Sequence, residues 1–205
     1  LWAQSVRRSL GRVTAPPVTL PLTLPGDRPG RGMRFWCWLM GMINIHQVLE
    51  RVYTLVHAEA RSRVHIQRDY DPSIPELYGD QDQLIQALLN IVRNAVRAVS
   101  DEGGRVCLRS RVLRQFTIGT HCHRLVAQIE IEDNGPGIPE ELQGRIFYPM
   151  VSTTAGGQGL GLSIAQSLIS QHGGLIECRS RPGQTLFTVF LPVESPNDRT
   201  AERAG

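Results

Sequence analysis

Apolar residues recur along this chain with two different periods, and the switches between them mark its elements. Ile45, Val48, Leu49, Val52, Leu55 and Val56 recur at steps of three and four, which predicts an amphipathic helix with Asn44 as its N-cap. A short strand is expected over residues 64–70, then a proline-bounded turn and Tyr78-Gly79. Asp80 reads as the N-cap of a second helix, residues 80–99, with a core stripe of Leu84, Leu88, Ile91, Ala95 and Val99. Beyond the turn Asp101-Glu102-Gly103-Gly104 the period drops to two. Val106, Leu108 and Val112 alternate with Arg105, Cys107, Arg109 and Arg111, the pattern of a half-buried strand. A polar loop is expected up to His123, after which Leu125, Ala127, Ile129 and Ile131 alternate with Val126, Gln128, Glu130 and Glu132. These two strands are expected to pair antiparallel. Pro139 at the first helical position, followed by Glu140-Glu141, predicts a short helix. Residues 157–161 open a last helix through Leu162, Ile164, Ala165, Leu168 and Ile169, stopped by Gly173-Gly174. Two strands, 175–180 and 185–191, then flank the turn Arg181-Pro182-Gly183. The succession predicts an α/β (α+β) sandwich: a mixed, mostly antiparallel sheet packed on one layer of three helices.

The ends of the chain lack such patterns. Residues 1–32 are rich in proline, glycine and arginine, and residues 33–42 are apolar without amphipathic spacing. Residues 1–42 are therefore expected to be a disordered or non-native leader, with order beginning at Asn44, the domain spanning 43–193, and 194–205 a polar tail. The apolar run 35–43 is too short to span a bilayer, so no membrane partner is expected.

Composition narrows the chemistry. The chain has 205 residues, 41% of them hydrophobic, enough for one well-packed domain. All 22 basic residues are arginine. A Walker A loop and a protein-kinase-type site both need a lysine on the phosphates, so both are excluded, with Schiff-base chemistry. Residues 1–42 hold six arginines against one aspartate, and the remainder is slightly acidic despite a net charge of +3. No basic stripe marks the body, and no nucleic-acid partner is expected. Cys37, Cys107, Cys122 and Cys178 show no CxxC spacing and read as a reduced, cytoplasmic set. His121-Cys122-His123 has no second ligand cluster and reads as a solvated loop rather than a metal site.

Candidate chemistry concentrates in residues 133–161, DNGPGIPEELQGRIFYPMVSTTAGGQGLG. Asp133 closes a strand and is followed at once by Gly135 and Gly137. A second cluster, Gly156, Gly157, Gly159 and Gly161, runs into a helix. Glycines at such spacing let backbone approach a ligand closely, and a helix N-terminus after a glycine loop favours phosphate. On the helix 80–99, Asn90, Asn94 and Arg97 are spaced i, i+4, i+7 and share a face apart from the core stripe. The amide oxygens of the two asparagines suit Mg²⁺. A carboxylate at a strand end and a phosphate cradle together point to a nucleotide site. A dinucleotide-binding oxidoreductase fits less well, because the Gly157-x-Gly159-x-Gly161 spacing lies late in the chain with no strand directly before it.

In their order, LLNIVRNAVRA, DNGPGI, IFYP, GGQGLGLSIA and GQTLF, these segments make residues 44–192 resemble the ATP-binding catalytic domain of sensor histidine kinases, in the wider group shared with gyrase and MutL. The wording LIQALLNIVRNA and IFYPMVST is similar to the nitrogen-regulation kinases of the NtrB type. The resemblance implies a Bergerat-type ATP-binding fold, and ATP and Mg²⁺ as cofactors. It implies that Asp133 accepts the adenine amine, that Gly135, Gly137 and Ile138 line the base, and that Thr185 bonds adenine or a bridging water. Asn94 and Asn90 are implied as Mg²⁺ ligands, and Arg97 as a basic residue near the phosphates. Gly157, Gly159, Leu160 and Gly161 would wrap the triphosphate, with a mobile lid from Phe147 to Gly156. Implied partners are a dimerisation hairpin bearing a phospho-accepting histidine, an NtrC-like response regulator and a PII-type signal protein. Such kinases carry that histidine in an H-E-x-x-N-P-like motif. None of His46, His57, His65, His121, His123 or His172 sits in such a context, so the chain reads as the catalytic half alone. A related ATPase and a non-catalytic nucleotide-binding module are the alternatives.

Overall fold

The computed structural model describes residues 41–59, 64–99, 103–151 and 159–193. The leader through residue 40, the tail from residue 194 and residues 152–158, which include the second half of the expected lid, lie outside the described residues. The elements run β1 (Gly41–Ile43), α1 (Ile45–Glu59), β2 (His65–Tyr70), β3 (Leu77–Gly79), α2 (Gln81–Ala98), β4 (Arg105–Ile118), β5 (His121–Asp133), α3 (Glu140–Gln143), α4 (Gly161–Gln171), β6 (Leu175–Arg181) and β7 (Gln184–Pro192).

Five strands form one sheet in the order β2-β4-β5-β7-β6. Only β2 and β4 run parallel; the other three pairings are antiparallel. One face is apolar and one polar because each strand alternates. Val106, Leu108, Ile129, Ile131, Phe187, Val189 and Leu191 are buried beneath the helices. The opposite face carries charge: Arg109 pairs with Glu132, and Arg111 with Asp69. Helix α2 is central, packing against α1, α4 and the sheet. Its expected stripe Leu84, Leu88, Ile91, Ala95 and Val99 is buried throughout, and Asp80 caps it by accepting the Gln83 N–H at 3.1 Å. His172 ties α4 to α2. Its Nε2 accepts the Asp80 N–H at 3.0 Å, and its Nδ1 donates to the Leu168 carbonyl at 2.7 Å.

Four expectations need correction. Order begins before Asn44: Gly41, Met42 and Ile43 pair antiparallel with Gly79, Tyr78 and Leu77, and Ile43 is buried. A three-residue strand has no period to read, so sequence alone missed it and β3. The supposed polar loop ending at His123 is a continuous hairpin, turning tightly at Gly119 with φ of +61°. Its polar residues satisfy their backbone by pairing with each other, and a small cluster of Ile118, Val126 and Phe190, with Phe116 stacked on Phe190, anchors it. His121-Cys122-His123 is consequently strand, with His123 buried. Among the described residues no group of three His, Cys, Asp or Glu could hold a metal. Pro139, finally, is the N-cap of α3 and not its first residue. No helix among the described residues is long and apolar enough to cross a membrane.

Candidate functional site

Strand register brings Val106, Asp133, Thr185 and Ser180 into one row across β4, β5, β7 and β6. Directly opposed residues of antiparallel strands share a face and touch. Asp133 is only 3% exposed and Thr185 only 4%. The Asp133 carboxylate accepts the Gly135 N–H at 2.9 Å through Oδ1; among the described residues Oδ2 takes no hydrogen bond. Burial pushes this carboxyl above the usual aspartate range, the Gly135 N–H opposes that, and the Glu132 charge adds to it. Oδ2 is not among the fully buried atoms left without a partner, so it stays open to solvent or to a ligand's donor.

The loop after Asp133 is held tightly. A Cβ on Gly135 would stand 2.8 Å from Asp133 Oδ1 and 3.0 Å from the Ala98 carbonyl oxygen. One on Gly137, at φ of +86°, would stand 2.7 Å from the Arg181 carbonyl oxygen. Three contacts pin the loop to the β6–β7 turn. Gly183 N–H donates to Gly135 O at 3.1 Å, Ile138 N–H donates to Ser180 Oγ at 2.8 Å, and the Gln143 amide donates to Ile138 O and Ser180 O at 2.9 and 3.0 Å. Phe147 is half-buried, its ring edge-on to Phe187 at 6.5 Å.

Asn90 and Asn94 are half-buried on α2, and among the described residues neither side chain makes a hydrogen bond. Gly161, the first residue of α4, lies against Asn90: a Cβ there would stand 3.8 Å from its Cβ and Cγ. Leu160, 40% exposed, is the N-cap of α4 and offers no side-chain hydrogen bond, so the first helical N–H groups remain available. Gly159 has φ of +64° and a Cβ there would lie 2.6 Å from the Met150 carbonyl carbon. Its carbonyl accepts the Met150 N–H at 3.1 Å, which closes the two ends of the 150–159 segment on each other. Gly157 lies outside the described residues. Arg97 is exposed, and Glu59, at the end of α1, feels its charge. Helix α2 thus touches the Asp133 loop through Ala98 and the start of α4 through Asn90. Eight residues separate these points, about 12 Å along a helix axis.

Two groups of the site escaped the sequence reading. Ser180 and Gln143 brace the loop, and only the register of the two-residue β6–β7 turn, which sets Ser180 opposite Thr185, could have revealed the first. Cys178 lies on the same side of β6 as Ser180; burial, with the Asp133 charge adding, pushes its thiol up to about 12. A separate cavity of about 710 Å³ opens beside Tyr53, His57, His65 and Arg105, and none of the candidate site residues lines it.

Comparison with known proteins agrees with the fold. The family described as histidine kinase-, DNA gyrase B-, and HSP90-like ATPase matches residues 79–195. The sensory histidine kinase/phosphatase NtrB of Escherichia coli O157:H7 is 57% identical over 150 residues, 73% of this chain and 43% of that protein. NtrB of Rhizobium leguminosarum bv. phaseoli is 38% identical over 157 residues, 74% of this chain and 41% of that protein. The chain therefore spans under half the length of the curated relatives it matches. Among solved structures, the nucleotide-free catalytic domain of histidine kinase ThkA superposes with a TM-score of 0.64 at 28% identity, covering 75% of this chain and 95% of that one. Full-length ShkA in complex with AMPPNP gives 0.63 at 26% identity, covering 77% and 32%, and ThkA in complex with the response regulator TrrA gives 0.60 at 26%, covering 76% and 42%. The chain belongs to the histidine kinase-, DNA gyrase B-, and HSP90-like ATPase family, as an ATP-binding catalytic domain similar to that of the NtrB sensor kinases.

Proposed function

We propose that this domain binds ATP with Mg²⁺ and transfers the γ-phosphoryl group to a histidine presented by a dimerisation hairpin. The observation that carries the reading is Asp133: a buried carboxylate with one oxygen unspent, walled by Gly135 and Gly137. Such a group recognises an exocyclic amine and repels the carbonyl that guanine would present there. Ile138 and Phe147 would flank the base, and Thr185 would bond its edge or a bridging water. One and two turns back along α2 from Ala98, Asn94 and Asn90 would hold Mg²⁺, which supplies charge neutralisation between the phosphates. The backbone of Gly157, Gly159, Leu160 and Gly161 would receive the triphosphate at the helix N-terminus. Arg97 would stand near it as a mobile cation.

In ATP-hydrolysing relatives the position of Asn90 carries a glutamate base. An amide cannot take a proton near pH 7, so water attack is slow and the γ-phosphate survives until an imidazole arrives. Positioning supplies most of the catalysis in phosphoryl transfer. Downstream, the acceptor would be an NtrC-like response regulator, with a PII-type protein as the signal input. The setting would be cytoplasmic, in keeping with the thiols of Cys107, Cys122 and Cys178, which are free. Residues 43–193, with β1 added, would form the catalytic unit.

The test supplies radiolabelled ATP to the chain alone and to the chain mixed with an NtrB-type hairpin. Slow hydrolysis, no self-labelling and transfer to the hairpin histidine are expected. Brisk hydrolysis that survives Asn90→Ala, with no transfer, would favour an ATPase instead.

A further inference from the structure

We infer that Ser180 is a positioning residue that fixes the direction of the Thr185 hydroxyl, making Thr185 a hydrogen-bond donor to the ring nitrogen beside the adenine amine. The inference rests on the adenine reading of Asp133 and adds a residue that sets the direction of the Thr185 contact already proposed.

The two hydroxyls lie 2.9 Å apart, and geometry alone lets either be the donor. The surroundings decide between them. Ser180 Oγ already accepts the Ile138 N–H at 2.8 Å. Were Thr185 to donate to it, Ser180 Oγ would accept twice and its own proton would have no partner among the described residues. That proton would be caught between the hairpin and the loop braced by Gln143. With Ser180 donating, both its proton and its lone pair are used, and the spare proton is the one on Thr185. Thr185 lies directly opposite Asp133 in the strand register, so its spare proton falls beside the carboxylate that the adenine reading sets on the amine. A chain running Ile138 N–H to Ser180 to Thr185 also polarises each successive hydroxyl toward its role.

The base chemistry matches this direction. The adenine amine is flanked on both sides by ring nitrogens, N1 and N7, that only accept. Guanine and hypoxanthine place an oxygen where the amine stands, with an N–H donor on one side of it. A donor at Thr185 beside an acceptor at Asp133 therefore reads the two-atom edge of adenine, whichever edge enters.

Titration calorimetry with ATP, 1-deaza-ATP and 7-deaza-ATP tests this. Each analogue replaces one ring nitrogen by C–H and keeps the amine. Wild type should bind one of the two about tenfold more weakly than ATP, the worth of one good hydrogen bond. In Ser180→Ala that ratio should fall below about threefold, and Ser180→Thr should restore it. Ser180→Cys, which keeps the shape and weakens the donor, gives the same readout if the alanine variant does not fold. A Ser180→Ala variant that binds ATP less well but keeps the wild-type ratio would overturn the inference, reducing Ser180 to a structural pin while leaving the adenine site standing. Failure of wild type to bind ATP at all would instead sink the underlying reading.

Discussion

Asp133 carries opposite consequences for stability and for binding. Its pKa in the folded chain stands above the usual value of 3.8, so the folded state holds this proton more tightly than the unfolded state. The contribution to stability is fully present below about 3.8 and is lost as pH rises through the raised value. Asp133→Asn removes a charge that burial penalises, so thermal melts of the ligand-free variant at pH 7 should show it at least as stable as wild type. Calorimetry should show its ATP affinity reduced tenfold or more, since a hydrogen bond to a charged acceptor is worth about 1.5–3 kcal/mol. In wild type, ATP affinity should fall on acidification sooner than an ordinary aspartate would dictate. Cys178 offers a simpler check. A thiol pushed up to about 12 is scarcely ionised at pH 7.5 and reacts slowly. Mass spectrometry after brief iodoacetamide treatment should find exposed Cys122 alkylated and Cys178 intact; rapid loss of Cys178 would show that its surroundings are more polar than described.

Between elements, a few contacts decide whether the site is assembled. Gly137→Ala would force a Cβ to within 2.7 Å of the Arg181 carbonyl oxygen at φ of +86°. It should cost about 2 kcal/mol and lower ATP affinity by moving the loop that Asp133 anchors; an unchanged melting temperature would contradict the packing described. His172→Phe leaves the Asp80 N–H and the Leu168 carbonyl without the ring nitrogens that serve them. A loss of about 1–3 kcal/mol is expected, read by denaturant unfolding. The same scale shows what the sequence made legible. Helix α2 and strands β4 to β7 announced themselves because each buries one face over many residues, and periodicity reports burial. The glycine clusters around Asp133 were legible because close backbone approach admits little else. The β1–β3 pairing and the outer half of the β4–β5 hairpin were not, since three residues carry no period and a ribbon that pairs with itself needs no apolar alternation. Ser180 stayed hidden for another reason: its role exists only in the register between two strands.

Across the whole molecule, α2 is the ruler of the site. Ala98 meets the loop after Asp133 and Asn90 meets the start of α4, so the separation of these two segments is set by one rigid helix and not by loops. The polar face of the sheet, laced by Arg109 with Glu132 and Arg111 with Asp69, leaves the helical face as the buried one. The Arg111–Asp69 pair is exposed and contributes little, and neutralising Arg111 should leave stability within about 0.5 kcal/mol of wild type by chemical denaturation.

The short pairing of β1 with β3 has a mechanical side. Gly41 lies opposite Gly79, and Gly79 is followed directly by Asp80, the cap of α2. Tension on the chain ahead of Gly41 therefore arrives first at the pair nearest the helix. It acts to unzip β1 from that end, bond by bond, toward the buried anchor of Ile43. Peeling breaks one contact at a time and yields at far lower force than shearing a whole strand. A tug from upstream would thus meet the three pairs of this ribbon before it reached α1, the next element along the chain.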